Sequence, residues 1–301
     1  MRQSLCAITS NVEISPGVRL MWIEAPHIAA VAQPGQFVTV RCEGLTLRRP
    51  FSIHRVVIAS EAKQSQVAIL FKVVGKGTLW LSQRQEGDRI DILGPLGRGF
   101  NIEPRARNLL LVAGGIGIAP LIFLTQYALP QHSITLIHGT STARELYPFS
   151  SLPFTLSPSP SMGEGKGEGE KRDNLSPLPP EVRVIPVTED GTAGKKGMIT
   201  DILPDFLDWA DQICACGPVE MYQAMALTLN PSPLKGEGKG KGEGEERSKL
   251  KKCQVSLEVR MGCGIGACYG CTINTTRGLK QVCRDGPVFE LGDIIWEEVR
   301  I

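Results

Sequence analysis

Four cysteines in the last fifth of the sequence constrain the fold more than any other feature. Residues 261–271 read MGCGIGACYGC, and together with Cys283 they give the spacing Cys263-x4-Cys268-x2-Cys271-x11-Cys283. This is the spacing of plant-type [2Fe–2S] sites, in which four thiolates hold the cluster. The glycines between the cysteines allow the backbone to coil closely around a small inorganic core. The pattern therefore predicts that these four cysteines bind one [2Fe–2S] cluster.

Three other interpretations of these cysteines compete with an iron–sulfur cluster. Zinc also binds four cysteines, but its usual pattern is two separated C-x2–4-C pairs with fewer glycines. Disulfide bonds are typical of small secreted chains, whereas this chain is long and its first residues lack the pattern of a secretory signal. Unliganded thiols are the third alternative. The odd total of nine cysteines fits a reducing compartment, and we expect the protein in the cytoplasm.

Length and composition argue against several classes of function. A chain of 301 residues is long enough for two or three domains with separate cores. A formal net charge of +2 and an aromatic content of 6% give no indication of nucleic-acid binding. No apolar run approaches the roughly 18 residues of a membrane-spanning helix. We therefore expect neither a nucleic-acid partner nor a membrane partner.

Residues 1–102 have the pattern of a small antiparallel β-barrel. Short apolar or alternating runs occur at residues 18–24, 36–41, 67–74 and 88–93, and turn signals such as Pro-Gly and Gly-Pro separate them. Many short strands without helical periodicity are typical of a barrel.

Two motifs within this region suit a phosphate-bearing ligand. Residues 48–54 read RRPFSIH, where an arginine and a hydroxyl flank a rigid proline, and a guanidinium forks onto phosphate oxygens. Residues 71–78 read FKVVGKGT, whose glycines and threonine precede a short helical run and can offer N–H groups to a pyrophosphate. Either arginine alone is more simply explained as a solvated strand end. The two motifs together favour a phosphate site.

Residues 103–250 change to the alternating strand and helix pattern of a parallel α/β domain. The apolar run 108–113 leads into GGIGIAP at 114–120 and a helix at 121–128, with further strands at 133–138, 182–187 and 212–216. A glycine loop between strand and helix is where a dinucleotide pyrophosphate binds. The candidate residues there are Gly114, Gly115, Gly117 and Pro120.

The end of the strand at 212–216 supplies a second set of candidates for the nucleotide site. Cys216, Gly217 and Pro218 precede another predicted helix at 219–227, and such strand ends line the ligand crevice of an open α/β sheet. We place Cys216 where a nicotinamide would lie. A lone cysteine is more often a small buried hydrophobic residue, and we expect that role for Cys214 and Cys253.

Two similar low-complexity tracts interrupt the α/β domain. Residues 156–170 and 229–245 share an SPSP or NPSP start and a Gly/Glu/Lys-rich continuation, which buries too little apolar surface to fold. We predict loop insertions near 155–178 and 229–249, and a shorter one at 59–66. After them, residues 251–301 form a small cluster lobe, with a strand-like lead at 253–261 and a strand pair ending near Trp296. The cluster would stabilise this lobe.

This order of a barrel with RPFS, a glycine-loop α/β domain and a cysteine lobe resembles the ferredoxin–NAD(P) reductase superfamily. Within it, RMGCGIGACYGC and VCRDGPVF resemble the family of iron–sulfur electron-transfer subunits of class 1B dihydroorotate dehydrogenase. The resemblance implies FAD on the barrel, NAD as co-substrate at the α/β domain, and an FMN-containing catalytic subunit as partner in a two-plus-two assembly. The positions that match the family's flavin-contacting segments are Arg49, Pro50, Phe51, Ser52, Leu70, Phe71, Lys72, Gly77 and Thr78.

The implied function is electron transfer from the partner's FMN through the cluster and FAD to NAD⁺. We expect no catalytic acid or base in this chain. The rim at 264–269 should face the partner, although Tyr269 is equally explained as a cover for the cluster. Rival families are the small subunit of a transhydrogenase-like ferredoxin–NADP reductase, in which an acid replaces one cysteine ligand, and a hydrogenase-associated flavoprotein. A non-enzymatic alternative is a zinc-stapled interaction module. The sequence at 138–144, HGTSTAR, leaves NAD and NADP undecided.

Overall fold

The computed structural model describes residues 1–60, 64–129, 131–149, 182–229 and 251–299. The predicted insertion near 155–178 lies outside these residues, and so does the one near 229–249 apart from Leu229. The shorter predicted insertion at 59–66 is described except for 61–63. Within the described ranges, no helix combines the length and apolar character needed to cross a membrane.

Fifteen strands and seven helices make up the described part of the chain. The strands are β1 (Arg2–Ser15), β2 (Val18–Glu24), β3 (Phe37–Arg41), β4 (Arg49–Val57), β5 (Gln66–Lys72), β6 (Arg89–Leu96), β7 (Asn108–Gly114), β8 (Ser133–Thr140), β9 (Val182–Thr188), β10 (Lys195–Lys196), β11 (Gln212–Cys216), β12 (Lys252–Ser256), β13 (Thr272–Thr275), β14 (Gly278–Gln281) and β15 (Val288–Glu290). The helices are α1 (Pro26–Ala29), α2 (Lys76–Ser82), α3 (Ile118–Ala128), α4 (Ile199–Ile202), α5 (Pro204–Leu207), α6 (Val219–Leu229) and α7 (Val282–Asp285).

The first six strands close into an antiparallel barrel in the order β1-β2-β5-β4-β3-β6, which confirms the predicted fold of this region. Its interior is filled by alternating strand residues such as Val38, Ile53, Ile69 and Ile90. The apolar-run pattern does not predict β1 and β4. Polar residues alternate through β1, and β4 carries arginines, a proline and a histidine, so neither strand looks apolar in sequence.

The α/β region forms a seven-stranded sheet in the order β10-β9-β8-β7-β11-β12-β15. All neighbours are parallel except β15, which runs antiparallel to β12. The central strand β7 is buried on both faces, because Leu109 and Leu111 pack with α3 while Leu110 and Val112 pack with α4 and α6. The predicted parallel-sheet domain is therefore confirmed.

The cysteine segment is an excursion from this sheet. The chain leaves the sheet after β12, forms the β13–β14 hairpin and α7, and returns to it as β15. The sheet thus extends past the boundary that we predict at residue 250. The strand pair predicted to end near Trp296 is wrong. Only the three-residue β15 is a strand there, and 3-10 turns follow it at Leu291–Asp293 and Trp296–Glu298, where the Trp296 indole donates to the Leu291 carbonyl oxygen.

Candidate cofactor site

The structure brings the four predicted cluster ligands together in two pairs. Cys263 and Cys268 lie in hydrogen-bonding contact through their thiols, and so do Cys271 and Cys283. Cys271 and Cys283 are buried, Cys263 is half-buried and Cys268 is exposed. The two pairs lie close together, because the N–H groups of the adjacent residues Gly266 and Ala267 donate to Cys283 and Cys263 respectively.

Backbone N–H groups of the loop point at these sulfurs. Ala267 N lies 3.2 Å from Cys263 Sγ, and Gly266 N lies 3.1 Å from Cys283 Sγ. Burial acts to raise the pKa of the Cys263 thiol, but hydrogen bonds from loop N–H groups, that of Ile265 first, outweigh it and lower the pKa to about 6. The loop therefore favours the thiolate of Cys263, the form that binds a metal. Burial, followed by the neighbouring Cys271, instead raises the pKa of the Cys283 thiol to about 12.

The arrangement of the donors fits a cluster with two irons. Each iron of a [2Fe–2S] cluster takes two of the four cysteines, whereas one zinc ion takes all four. Two thiol pairs side by side match the cluster better than they match zinc.

On the barrel, Arg49 and Gly77 from the two predicted flavin motifs lie against each other. A Cβ on Gly77 would come within 2.9 Å of Arg49 Nε, so a larger residue there would make the arginine side chain shift. Arg49 also donates to the Leu47 carbonyl oxygen at 2.7 Å. Arg48 is held differently, by an ion pair of 2.7 Å with Asp91, which matches the strand-end interpretation for that residue.

The other predicted flavin residues divide into a buried and an accessible group. Phe51 and Phe71 are buried in the barrel with their ring centroids 5.6 Å apart, whereas Leu70 is buried in the cluster formed with α3. Pro50, Ser52 and Thr78 are half-buried, and Lys72 is exposed. The Thr78 hydroxyl accepts hydrogen bonds from the N–H groups of Val74 and Gly75, at 2.9 and 3.1 Å, and so shapes the turn before α2.

A cavity of about 820 Å³ lies between the barrel and the seven-stranded sheet, within the size range of ligand sites. It joins members of both predicted sets, namely Leu70, Lys72, Gly114, Gly115, Gly117, Gly217 and Pro218. The other members of the two sets do not line it. They are Arg49, Pro50, Phe51, Ser52, Phe71, Gly77, Thr78, Pro120 and Cys216.

The two glycine turns at the sheet edge touch each other. A Cβ on Gly117 would lie 2.1 Å from the Cys216 carbonyl oxygen, and one on Gly114 would lie 2.7 Å from Pro218 Cδ. Pro120 is buried in the first turn of α3. Cys216 is fully buried, and burial raises the pKa of its thiol, so its backbone rather than its sulfur reaches the glycine loop.

Four glutamates that the sequence analysis does not assign also line the cavity, namely Glu145, Glu189, Glu220 and Glu258. Two of them follow strands of the sheet. Glu258 follows the carboxyl end of β12. Its side chain is exposed at the cavity wall. The surrounding protein partly desolvates the carboxylate, and this raises its pKa. Glu189 follows β9 and accepts a hydrogen bond of 3.2 Å from the Ser141 hydroxyl. Their position just after parallel strands is the signal that could have identified them.

The cysteine segment packs directly on the barrel. Gly264, between two cluster cysteines, has φ +74°, and a Cβ there would lie 2.9 Å from the Thr39 methyl group. Thr39 is in β3 and pairs with Pro50 in β4. A second contact joins the Arg98 N–H to the Gly286 carbonyl oxygen. The predicted cluster site and the predicted flavin site are therefore neighbours.

Comparison with known proteins agrees with this arrangement. The profile of the iron–sulfur cluster binding domain of dihydroorotate dehydrogenase B matches residues 258–295. A relative from Desulforamulus reducens, a dihydroorotate dehydrogenase B (NAD⁺) electron transfer subunit, is 34% identical over 294 residues, covering 94% of this chain and 95% of the relative. A solved NADH-dependent reduced ferredoxin–NADP oxidoreductase is 27% identical with a TM-score of 0.73, covering 98% of this chain and 91% of its own. A ferredoxin NADP⁺ reductase from Neisseria gonorrhoeae with bound FAD and NADP shares the fold at 17% identity, with a TM-score of 0.58, covering 85% of this chain and 100% of its own.

Proposed function

Because this chain belongs to the family of electron transfer subunits of dihydroorotate dehydrogenase B, we propose that it delivers electrons from dihydroorotate oxidation to NAD⁺. The observation that carries the proposal is the contact between the cysteine loop and the barrel, where Gly264 rests on Thr39 beside Pro50. A [2Fe–2S] cluster passes single electrons, FAD exchanges single electrons and pairs, and NAD⁺ accepts a hydride. The residues of this chain would hold these three groups in place, as described below for each group.

Cys263, Cys268, Cys271 and Cys283 hold the cluster in this proposal, and the loop around them stabilises its negative charge. The N–H groups that now donate to the sulfurs at 3.1 to 3.4 Å would continue to do so with the cluster bound. Hydrogen bonds to the sulfurs also help to set the potential of such clusters.

The barrel residues hold FAD in this proposal. Arg49, packed on Gly77 at the start of α2, offers its guanidinium to the pyrophosphate. Pro50 and Ser52 present the accessible face of β4, and Thr78 shapes the turn through its hydroxyl. Phe51 and Phe71 support that face from the barrel interior, and Leu70 and Lys72 line the cavity.

The cavity receives NAD(H) in this proposal. Gly114, Gly115 and Gly117 allow the dinucleotide backbone to approach, and Gly217 and Pro218 line the same edge of the cavity beside them. Pro120 and Cys216 do not contact the nucleotide in this proposal, but hold the glycine loop at 114–117 in place. Glu189 and Ser141 present a carboxylate and a hydroxyl, which suit ribose hydroxyls better than a 2′-phosphate, so we propose NAD rather than NADP.

The partner is an FMN-containing catalytic subunit, in an assembly of two copies of each. Exposed apolar side chains occur in the cysteine loop beside the most accessible ligand, Cys268, and in β14. Tyr269 is 69% exposed, Leu279 is 70% exposed, and Ile265 lies in the same loop. Exposed apolar groups of this kind are typical of a protein contact. We also propose the cytoplasm, since all nine cysteines are free of disulfide bonds. The proposed domains are the barrel at 1–102 and a second unit that begins at residue 103, whose sheet continues past residue 250 through β12 and β15.

The proposal is tested by reconstitution with the catalytic subunit. Dihydroorotate-dependent NAD⁺ reduction is followed for the catalytic subunit alone, for the mixture, and for mixtures with Cys268→Ala or Cys253→Ala. We expect activity only in the mixture, its loss with Cys268→Ala, and its retention with Cys253→Ala, because Cys253 is buried in β12 away from the ligands. If the catalytic subunit alone reduces NAD⁺ as fast as the mixture, the proposal fails.

Metal and cofactor analysis separates the alternatives. About two irons and two acid-labile sulfides per chain, with one FAD, support the cluster. Stoichiometric zinc without sulfide would support the zinc-stapled module instead. Preferential reduction of NADP⁺ would favour the ferredoxin–NADP reductase relationship.

A further inference from the structure

Tyr147 lies between two buried histidines from different parts of the fold. It follows β8 and is 5% exposed. Its hydroxyl lies 3.0 Å from His54 Nε2, on barrel strand β4, and its backbone nitrogen lies 3.4 Å from His138 Nδ1, on β8. The proposed roles of the cofactor-binding residues make no use of these three residues.

The hydrogen bonds of the two histidines fix where their protons lie. His54 Nδ1 is 2.9 Å from the Ala119 carbonyl oxygen, and His138 Nε2 is 3.0 Å from the Gly115 carbonyl oxygen. A carbonyl only accepts, so each of these ring nitrogens donates. In a neutral imidazole the other nitrogen must accept, and Tyr147 supplies a donor to both. Burial lowers the pKa of His54 to about 3 and that of His138 to about 4, so both rings are neutral at pH 7.

One of these carbonyls belongs to the glycine turn that lines the cavity, and the other belongs to the helix that follows this turn. Gly115 is in the 3-10 turn Gly115–Gly117, and Ala119 is in the first turn of α3. Gly115 has φ +53°, and a Cβ on it would meet nothing within 4 Å. No neighbouring atoms pack on the side-chain face of Gly115, so the hydrogen bond from His138 to its carbonyl oxygen fixes the position of this residue.

A second contact of the same segment reaches the barrel. Glu145, two residues before Tyr147, forms an ion pair of 3.1 Å with Lys72 at the end of β5. Lys72, Glu145, Tyr147 and Gly115 all line the cavity. The segment thus spans the cavity from the proposed flavin site to the glycine loop.

We propose that Tyr147 is a positioning residue, which sets the glycine loop relative to the barrel so that the cavity is preformed for the nicotinamide dinucleotide. This inference rests on the proposed function. A phenylalanine would pack equally well, but it would leave His54 Nε2 buried without a donor. A buried polar network of this kind specifies geometry more than it adds stability.

The test compares Tyr147→Phe with the wild type and with the control Tyr127→Phe. Tyr127 is exposed on α3, so its hydroxyl is not part of the network. We measure KM and kcat for NADH oxidation with an artificial acceptor, together with FAD occupancy and the flavin absorption spectrum. Losing one hydrogen bond should raise the KM for NADH about tenfold, with kcat, FAD occupancy and spectrum nearly unchanged. Tyr127→Phe should match the wild type.

A double variant separates positioning from stability. His54→Leu with Tyr147→Phe replaces both partners of the Tyr147–His54 hydrogen bond by apolar groups, and it also removes the donor to the Ala119 carbonyl oxygen. Because no ring nitrogen is then left unpaired, part of the thermal midpoint lost in Tyr147→Phe should return. We expect the KM to stay raised in this variant. A wild-type KM in Tyr147→Phe, or a KM that recovers together with the thermal midpoint, would overturn the inference. A wild-type chain that does not oxidise NADH would instead overturn the proposed function.

Discussion

Replacing Gly117 with alanine should force apart the two backbone turns that form the nucleotide edge of the cavity. An ideal Cβ there would lie 2.1 Å from the Cys216 carbonyl oxygen and 2.8 Å from the Gly217 amide nitrogen. Carbon and oxygen atoms in contact are usually about 3.3 Å or more apart, so the turns must separate by about 1 Å. The neighbouring atoms are backbone and cannot rotate away. We therefore expect a loss of about 3 kcal/mol in the free energy of unfolding.

Two other glycines separate this steric effect from backbone strain. Gly117 has φ −58°, an ordinary value, so its penalty is steric. Gly115 has φ +53° and open space around a Cβ, so Gly115→Ala should cost only about 1–2 kcal/mol of strain. Gly292 has neither a positive φ nor a neighbour within 4 Å, and Gly292→Ala should be nearly neutral.

The assay combines unfolding with ligand binding. Denaturant unfolding followed by circular dichroism gives the stability order, and titration with NAD⁺ gives the affinity of each variant. We expect Gly117→Ala to weaken NAD⁺ binding by more than tenfold, because a displacement of about 1 Å disrupts a positioned site. If Gly117→Ala proves as stable and as tight-binding as Gly292→Ala, the close contact between the two turns is not a feature of the folded protein.

Three further predictions test other parts of the structure. The unfolded chain protonates His54 and His138 near pH 6.5, whereas burial keeps them neutral in the fold down to about pH 3 and about pH 4, so the free energy of unfolding should fall with acidification. The loss is about 1.4 kcal/mol per pH unit for each ring, and a flat stability profile from pH 6 to 4.5 would contradict it. Arg49→Ala should weaken FAD binding by about 1.5–3 kcal/mol, and full FAD occupancy after dilution would refute that role. Gly264→Ala should slow the reduction of the cluster by NADH without lowering the iron content, because Gly264 has φ +74° and a Cβ there would lie 2.9 Å from the Thr39 methyl group. The rate is measured by rapid-mixing absorbance, and a wild-type rate would contradict this prediction.

Elements with a strong local pattern could be predicted from the sequence. β2 and β11 have the predicted bounds, because seven and five residues of steady apolar or alternating character lie between clear turns. The four cysteines could be found because their spacing is local and chemically restrictive. The glycine loop after β7 was predictable for the same reason.

What sequence reasoning misses depends on contacts between distant residues. β15 has three residues and is a strand because β12 offers it an edge. Glu258 enters the cavity because β12 joins a sheet built mainly by earlier residues. The bond between His54 and Tyr147 joins the barrel to the segment after β8 across 93 residues. No local periodicity carries information about such pairings.

The return of the chain to the sheet after the cysteine segment has a consequence for modularity. A cut at residue 250 would remove β12 and β15, two of the seven strands of the nucleotide sheet, along with the cysteines. The cysteine segment is therefore not a detachable cassette, in contrast to a carrier domain joined by a linker. Transplanting it onto another reductase would require that recipient to supply an open sheet edge next to β11 and a barrel surface like that at Thr39. Recombination in this family should therefore exchange the sheet and the cysteine segment as one unit.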